Sequence, residues 1–205
     1  DNMEFHVTGI QNSPITFTGS GAYATSVVNN DIKLFIGDGT TETILNSEYI
    51  LNVNEVIVTD NAVLKLSEKG SDGSNNQYNL FFDVEELTIQ PGGKLDLTNS
   101  STAQNDSILG NYTGGGTLRL EDGKTFTIGG AASGTTTVEI DGTPVVDQTY
   151  ITVTGGGTES FTYDSDEYEL RNDEASAPHK WKYVKSEIVA PHNSVTGIVN
   201  DSEYT

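Results

Sequence analysis

The densest run of potential ligands lies at residues 159–174, where Glu159, Asp164, Asp166, Glu167, Glu169, Asp173 and Glu174 accompany a single arginine. Within it, Asp164-x-Asp166-x-x-Glu169 can present several carboxylate oxygens from one turn, the donor set a hard cation such as Ca²⁺ takes. The segment lacks the loop glycine and full spacing of an EF-hand, and a solvated acidic hairpin around DSDE is the competing reading. Ca²⁺ is the only cofactor the chain suggests, with Asp164, Asp166 and Glu169 as its candidate ligands.

A second feature follows at once. HKWKYVK, residues 179–185, holds three of the ten basic residues and the only tryptophan. On a strand, Trp181 and Tyr183 face one way and Lys180 and Lys182 the other. One reading packs the aromatics inward and leaves the lysines to guard a sheet edge against unwanted pairing. The other makes Lys180, Trp181, Lys182, Tyr183 and Lys185 a contact surface, with aromatics at its centre and lysines meeting the acidic hairpin of another copy. The chain would then carry both halves of a head-to-tail joint, and a joint that does not close builds a filament. MEFHVTGI at residues 3–10 and TGIVNDSEYT at 196–205 are each short enough to add as a strand to a neighbour.

Other chemistry is sparse. His6, His179 and His192 are far apart and show no HxxxH or H-x-H spacing. The absence of cysteine excludes thiol catalysis and thiolate metal sites. YTGGGT and VTGGGTE carry neither the Lys-Ser/Thr ending nor the helix of a phosphate loop, and read as turns. A Ca²⁺-dependent polysaccharide lyase would need a base beside carboxylate-bound metal. Its only arginines would be Arg119 and Arg171, and Arg119 is expected to have Thr88 and Ile57 as its stacked neighbours. Catalysis is therefore not expected.

Charge and composition bound the setting. Thirty acidic residues against ten basic ones give a net charge of −20, which repels nucleic acid and anionic lipid. No window approaches 18 apolar residues, so no membrane-inserted segment is expected. The start, Asp1-Asn2-Met3, fits removal of a secretion signal and fits a cloned fragment equally. Abundant Gly, Ser, Thr and Asn beside Val, Ile and Tyr read as a folded all-β protein of one domain, residues 1–205.

The elements that would position these groups show a repeat. Val56-x-Val58, TDNAV, Leu64-x-Leu66 matches Leu87-x-Ile89, QPGGK, Leu95-x-Leu97, and then Leu118-x-Leu120, EDGKT, Phe126-x-Ile128. The three starts are 31 residues apart, a period typical of stacked repeats. Alternation of apolar and polar residues marks strands with one buried face, and Asn or Gly in the five-residue links permits tight turns. A parallel stack would place Lys65 on Asp96 and Glu55 beside Glu86, the latter pair repelling or drawing in a cation.

This pattern resembles the β-helical stretches of bacterial surface proteins of the autotransporter-passenger and filamentous-haemagglutinin kind, over residues 55–130. The resemblance implies a β-solenoid (parallel β-helix) and a cell-surface or extracellular setting, and carries over no functional residue. Residues 1–54 would form N-terminal cap strands, 55–130 the repeat core and 131–205 a C-terminal β region. The alternative fold is an antiparallel β-sandwich or jelly roll of hairpins, because PGG and EDGK also suit hairpin loops. The function expected first is a non-catalytic structural subunit of a surface filament, layer or matrix that self-associates head to tail. A carbohydrate-binding adhesin module using Trp181, Tyr183 or Tyr168 as a sugar platform comes second.

Overall fold

The structure is a computed structural model that describes residues 3–11, 15–18, 32–51, 53–67, 81–82, 84–99, 107–108 and 110–186. Among them every regular element is a strand. In chain order these are β1 (Met3–Val7), β2 (Ile15–Thr18), β3 (Ile32–Ile36), β4 (Thr43–Leu51), β5 (Glu55–Val58) and β6 (Ala62–Ser67). β7 (Phe81–Phe82), β8 (Glu86–Ile89), β9 (Lys94–Asn99), β10 (Ser107–Ile108), β11 (Asn111–Gly114) and β12 (Thr117–Glu121) follow. The last are β13 (Phe126–Ile128), β14 (Ala132–Asp141), β15 (Thr149–Val153), β16 (Gly157–Tyr163), β17 (Tyr168–Asn172) and β18 (His179–Lys185).

Pairing sorts the strands into three parallel ladders. One runs β1, β3, β5, β8, β11, the start of β14, β16. Another runs from the start of β4 through β6, β9 and β12 to the end of β14. The third runs β2, the end of β4, β7, β10, β13, β15. Only the C-terminal hairpin is antiparallel, β18 lying on β15 and β17 on β18.

QPGGK therefore bends the chain onward, since β8 and β9 belong to different ladders. The hairpin alternative fails here, and the reason is visible at the corner. Gly92 takes a φ of +81°, and a Cβ on Gly93 would lie 2.7 Å from the backbone oxygens of both Val58 and Thr59 in the tier below. A corner stacked this closely on its neighbour admits no side chain at that position. VEIDGTPVVDQTYITV likewise splits between two ladders. The expected hairpin around DSDE is not a ladder either, as the antiparallel partner of β17 is β18.

The 31-residue step holds between β5–β6 and β8–β9, where Val56 pairs with Leu87, Leu64 with Leu95, Lys65 with Asp96 and Glu55 with Glu86. It does not hold for the third copy. Leu87 carries Tyr112 above it, an offset of 25 residues, while Leu118 stacks on Leu95, an offset of 23. The segment 118–128 is displaced by one ladder, because alternating strands look alike whichever ladder they join and corner lengths vary from tier to tier. Arg119 consequently lies between Asp96 and Glu139 and not in the file of Ile57 and Thr88. The ladders also run on through the boundaries expected at residues 55 and 130, from β1 to β16.

The inward positions stack as files. Leu34, Val56, Leu87 and Tyr112 form one, and Leu45, Leu64, Leu95, Leu118 and Val138 another, every member 1% exposed or less. Each such side chain contributes about 1.5–3 kcal/mol by leaving water. Outward, Glu4, Lys33, Glu55 and Glu86 stand in register. Lys33 is ion-paired to Glu55, so an ammonium meets the repulsion between Glu55 and Glu86. The hydrogen bond and charge of Glu55, with Glu4 and Glu86 behind it, raise the Lys33 pKa above its ordinary range.

Candidate functional site

The most unusual chemistry lies where the C-terminal hairpin meets the last parallel tier. Strand alternation turns Glu159 and Phe161 of β16 inward, and His179, Trp181 and Tyr183 of β18 inward from the other side. Glu159 is the sharpest case, its side chain only 1% exposed. Its Oε1 lies 2.7 Å from His179 Nδ1 and accepts from Trp181 Nε1 at 3.2 Å. Opposite an ionised carboxylate, which only accepts, His179 presents the tautomer with its proton on Nδ1. Glu159 Oε2 is buried with no partner among the described residues. Phe161 closes the space beside the pair, its ring 5.3 Å edge-on from Trp181. One carboxylate oxygen thus joins the final parallel strand to the antiparallel hairpin through two N–H donors, a lock between elements adjacent only in the folded chain.

The residues anticipated from sequence separate accordingly. Tyr183 is buried, Tyr168 stacks on it at 5.0 Å with rings 9° apart, and Tyr163 meets it edge-on at 5.2 Å. Of the aromatics expected for a contact surface or sugar platform, Tyr183 is turned into the core, while Trp181 and Tyr168 are partly buried and pack against the end of the apolar interior. Lys180 and Lys185 remain exposed and Lys182 partly so. Asp164 and Asp166 are exposed on the turn after β16, while Glu169 lies on β17 beside Arg171 at 3.7 Å. No three acidic or histidine side chains among the described residues are grouped so as to hold a metal ion, and the expected Ca²⁺ ligands Asp164, Asp166 and Glu169 are not brought together. The strand carries Glu169 away from the turn that holds the two aspartates. His6 stacks on Phe35 at 4.4 Å, and His192 lies outside the described residues.

No family model, curated protein or solved structure matches this chain.

Arg119, weighed above for a lyase, is otherwise engaged. Arg119 reaches Asp141 at 2.6 Å, Asp96 at 3.5 Å and Glu139 at 3.9 Å, and Lys94 bonds Glu139 at 2.5 Å. The Asp141 hydrogen bond first, and the charges of Asp96, Asp141 and Glu139, raise the Arg119 pKa. A guanidinium held charged by three carboxylates cannot take up a proton. It is a clamp across the second ladder.

Glu159 was present in the sequence as one acid among seven. The signal that sets it apart is its place two residues before Phe161 on an alternating strand, which turns both to the same face. Two buried tyrosines carried no such signal. Tyr112 Oη lies 2.9 Å from Thr136 Oγ1, and Tyr150 Oη donates to Asp122 at 2.5 Å while accepting from Val145 N at 3.0 Å. Burial above all pushes both phenols above the ordinary tyrosine range. Because the folded state holds these protons more tightly than the unfolded chain, the stability they contribute is complete below about pH 10 and is lost as the pH rises further. Titration of absorbance at 295 nm should show both phenols ionising only as the fold is lost. Free ionisation of every tyrosine near pH ~10 with the fold intact would contradict this.

Proposed function

We propose that the chain is a parallel β-solenoid serving as a non-catalytic, extracellular structural module that self-associates in a surface filament, layer or matrix. The observation that carries this reading is the combination of a filled interior with lengthwise cross-bracing outside. Apolar files occupy the inside of the ladders, and Lys33 with Glu55, Arg119 with Asp96 and Asp141, and Lys94 with Glu139 tie successive tiers together. Such a rod offers its outer faces and its ends for work. Met3 and Phe5, about half exposed on β1, support this as apolar surface that a neighbour would cover. Negative-stain microscopy with and without Ca²⁺ tests the reading, with end-to-end assemblies as the expected result. Single particles at every salt and Ca²⁺ concentration would end it.

A second reading, a carbohydrate-binding adhesin, draws on one outward file. Thr88, Thr113, Ser133 and Thr158 stand in register, with the Thr113 and Ser133 hydroxyls 3.4 Å apart, a row of donors and acceptors suited to sugar hydroxyls. A glycan array separates the two, since a binder retains sugars and an assembly subunit polymerises without them.

A further inference from the structure

At the C-terminal end the antiparallel extension runs β15, β18, β17, and β17 is laddered on one side only among the described residues. The direction of its free backbone groups follows from one bond. Ser186 N donates to Glu167 O at 2.8 Å, which makes Glu167 and Ser186 a hydrogen-bonded pair. Antiparallel pairs alternate between bonded and non-bonded. Glu169 opposite Val184 and Arg171 opposite Lys182 are then also bonded pairs, and the N–H and C=O groups of Tyr168, Leu170 and Asn172 point to the open edge, where Tyr168 N donates to Ser165 Oγ at 3.3 Å.

The same register leaves a charge conflict on the outer surface. Arg171 stands directly opposite Lys182, and like charges across a pair repel. Arg171 is 36% exposed and Glu169 44% exposed, and Arg171 leans on Glu169 at 3.7 Å and Asp173 at 3.3 Å. These two carboxylates offset the repulsion, and one beyond the free edge, on the side away from Lys182, would add to them.

We infer that β17 is a self-complementary edge at which a second copy of this chain docks, antiparallel, about a two-fold axis at Leu170. This geometry sets Leu170 opposite Leu170 of the second copy and Tyr168 opposite its Asn172, so that the edge-facing backbone groups are those that pair, Tyr168 N exchanging Ser165 Oγ for a carbonyl of the second copy. Glu169 then faces Arg171 of the second copy at a non-hydrogen-bonded position, where side chains approach most closely, and the symmetry makes that contact twice. The sheet continues as β15, β18, β17 and then the same strands of the other copy in reverse order. The joint at this end is two-fold and closes on itself, unlike the head-to-tail contact expected from HKWKYVK. It does not depend on the filament reading.

Sedimentation equilibrium on the whole chain tests it. The wild type is expected to dimerise, while Glu169→Arg and Arg171→Glu each raise the dimer dissociation constant at least about tenfold by setting like charges opposite. An equimolar mixture of the two single variants is expected to dimerise again, because each supplies the charge the other lacks. The double swap E169R/R171E, which restores the pattern in reverse, is expected to dimerise like the wild type and covers the case of a single variant that fails to fold. A wild type that stays monomeric at all accessible concentrations, single variants that dimerise unimpaired, or a mixture that stays monomeric would each overturn the inference. Long assemblies in the microscope that are indifferent to these substitutions would sustain the filament reading and remove this contact. A dimer with nothing longer would do the opposite.

Discussion

Glu159→Leu is expected to lower the melting temperature by roughly 6–12 °C, on the basis of about 3 kcal/mol lost and ~2–4 °C per kcal/mol for a chain of this size. Leucine fills the space but leaves the His179 and Trp181 N–H groups, now bonded at 2.7 and 3.2 Å, without an acceptor inside the protein. An unsatisfied buried donor costs about 1–3 kcal/mol. Glu159→Gln retains a carbonyl oxygen for both donors and removes a buried charge, so its effect should stay within about 1 kcal/mol. Trp181 is the only tryptophan in the chain, so its fluorescence reports on this joint alone. Leucine at 159 should move the emission to longer wavelength before the remainder of the molecule melts. If the leucine variant kept wild-type emission and melting, Glu159 would not be holding the hairpin to the last tier.

A second large effect is expected at a residue that touches no ligand and carries no side chain. Gly93→Ala should destabilise by about 2–3 kcal/mol, the cost of forcing an atom into a packed site. The added Cβ meets the oxygens of Val58 and Thr59 at 2.7 Å, and these oxygens already accept from Gln90 N at 2.9 Å and Ala62 N at 3.2 Å. They cannot withdraw without breaking the corner beneath. Gly123→Ala is the instructive control. Its φ is +83°, yet nothing lies within 4 Å of the added carbon, so its cost should be the backbone term of about 1–2 kcal/mol alone. Thermal denaturation of both variants checks the order. In a free hairpin no tier would lie below QPGGK, and alanine at 123, with its positive φ, would be the worse substitution.

Much of the local structure was legible in the sequence. Alternation identified Leu87, Ile89, Leu95 and Leu97 as inward, and all four are buried. It also separated Trp181 and Tyr183 from Lys180 and Lys182, as strand geometry requires. The match between residues 56–66 and 87–97 correctly placed Lys65 on Asp96. The third match misled because a two-residue period says which side chains face inward and nothing about which strand lies beneath. Leu118 fits the pattern equally well on Leu87 or Leu95, and the length of each corner decides between them.

The candidate site was less legible. Counting acids grouped Glu159 with Asp164 and Asp166, although alternation buries the first and the turn exposes the others. Whether the aromatics of HKWKYVK would face a partner or the core was left open by the strand pattern. The antiparallel return of β18 onto β15 settled that, by bringing Tyr183 over the end of the apolar interior.

By itself, then, the sequence determined the strands, their inward faces and the corners, because these follow from steric alternation and from turn residues close by in the chain. Only the tertiary structure decided the ladder each strand joins, the donors Glu159 meets and the edge left open at β17. Those outcomes depend on pairings between separate strands, such as β17 with β18, and on contacts such as Glu159 with His179 and Trp181, and no local pattern encodes them.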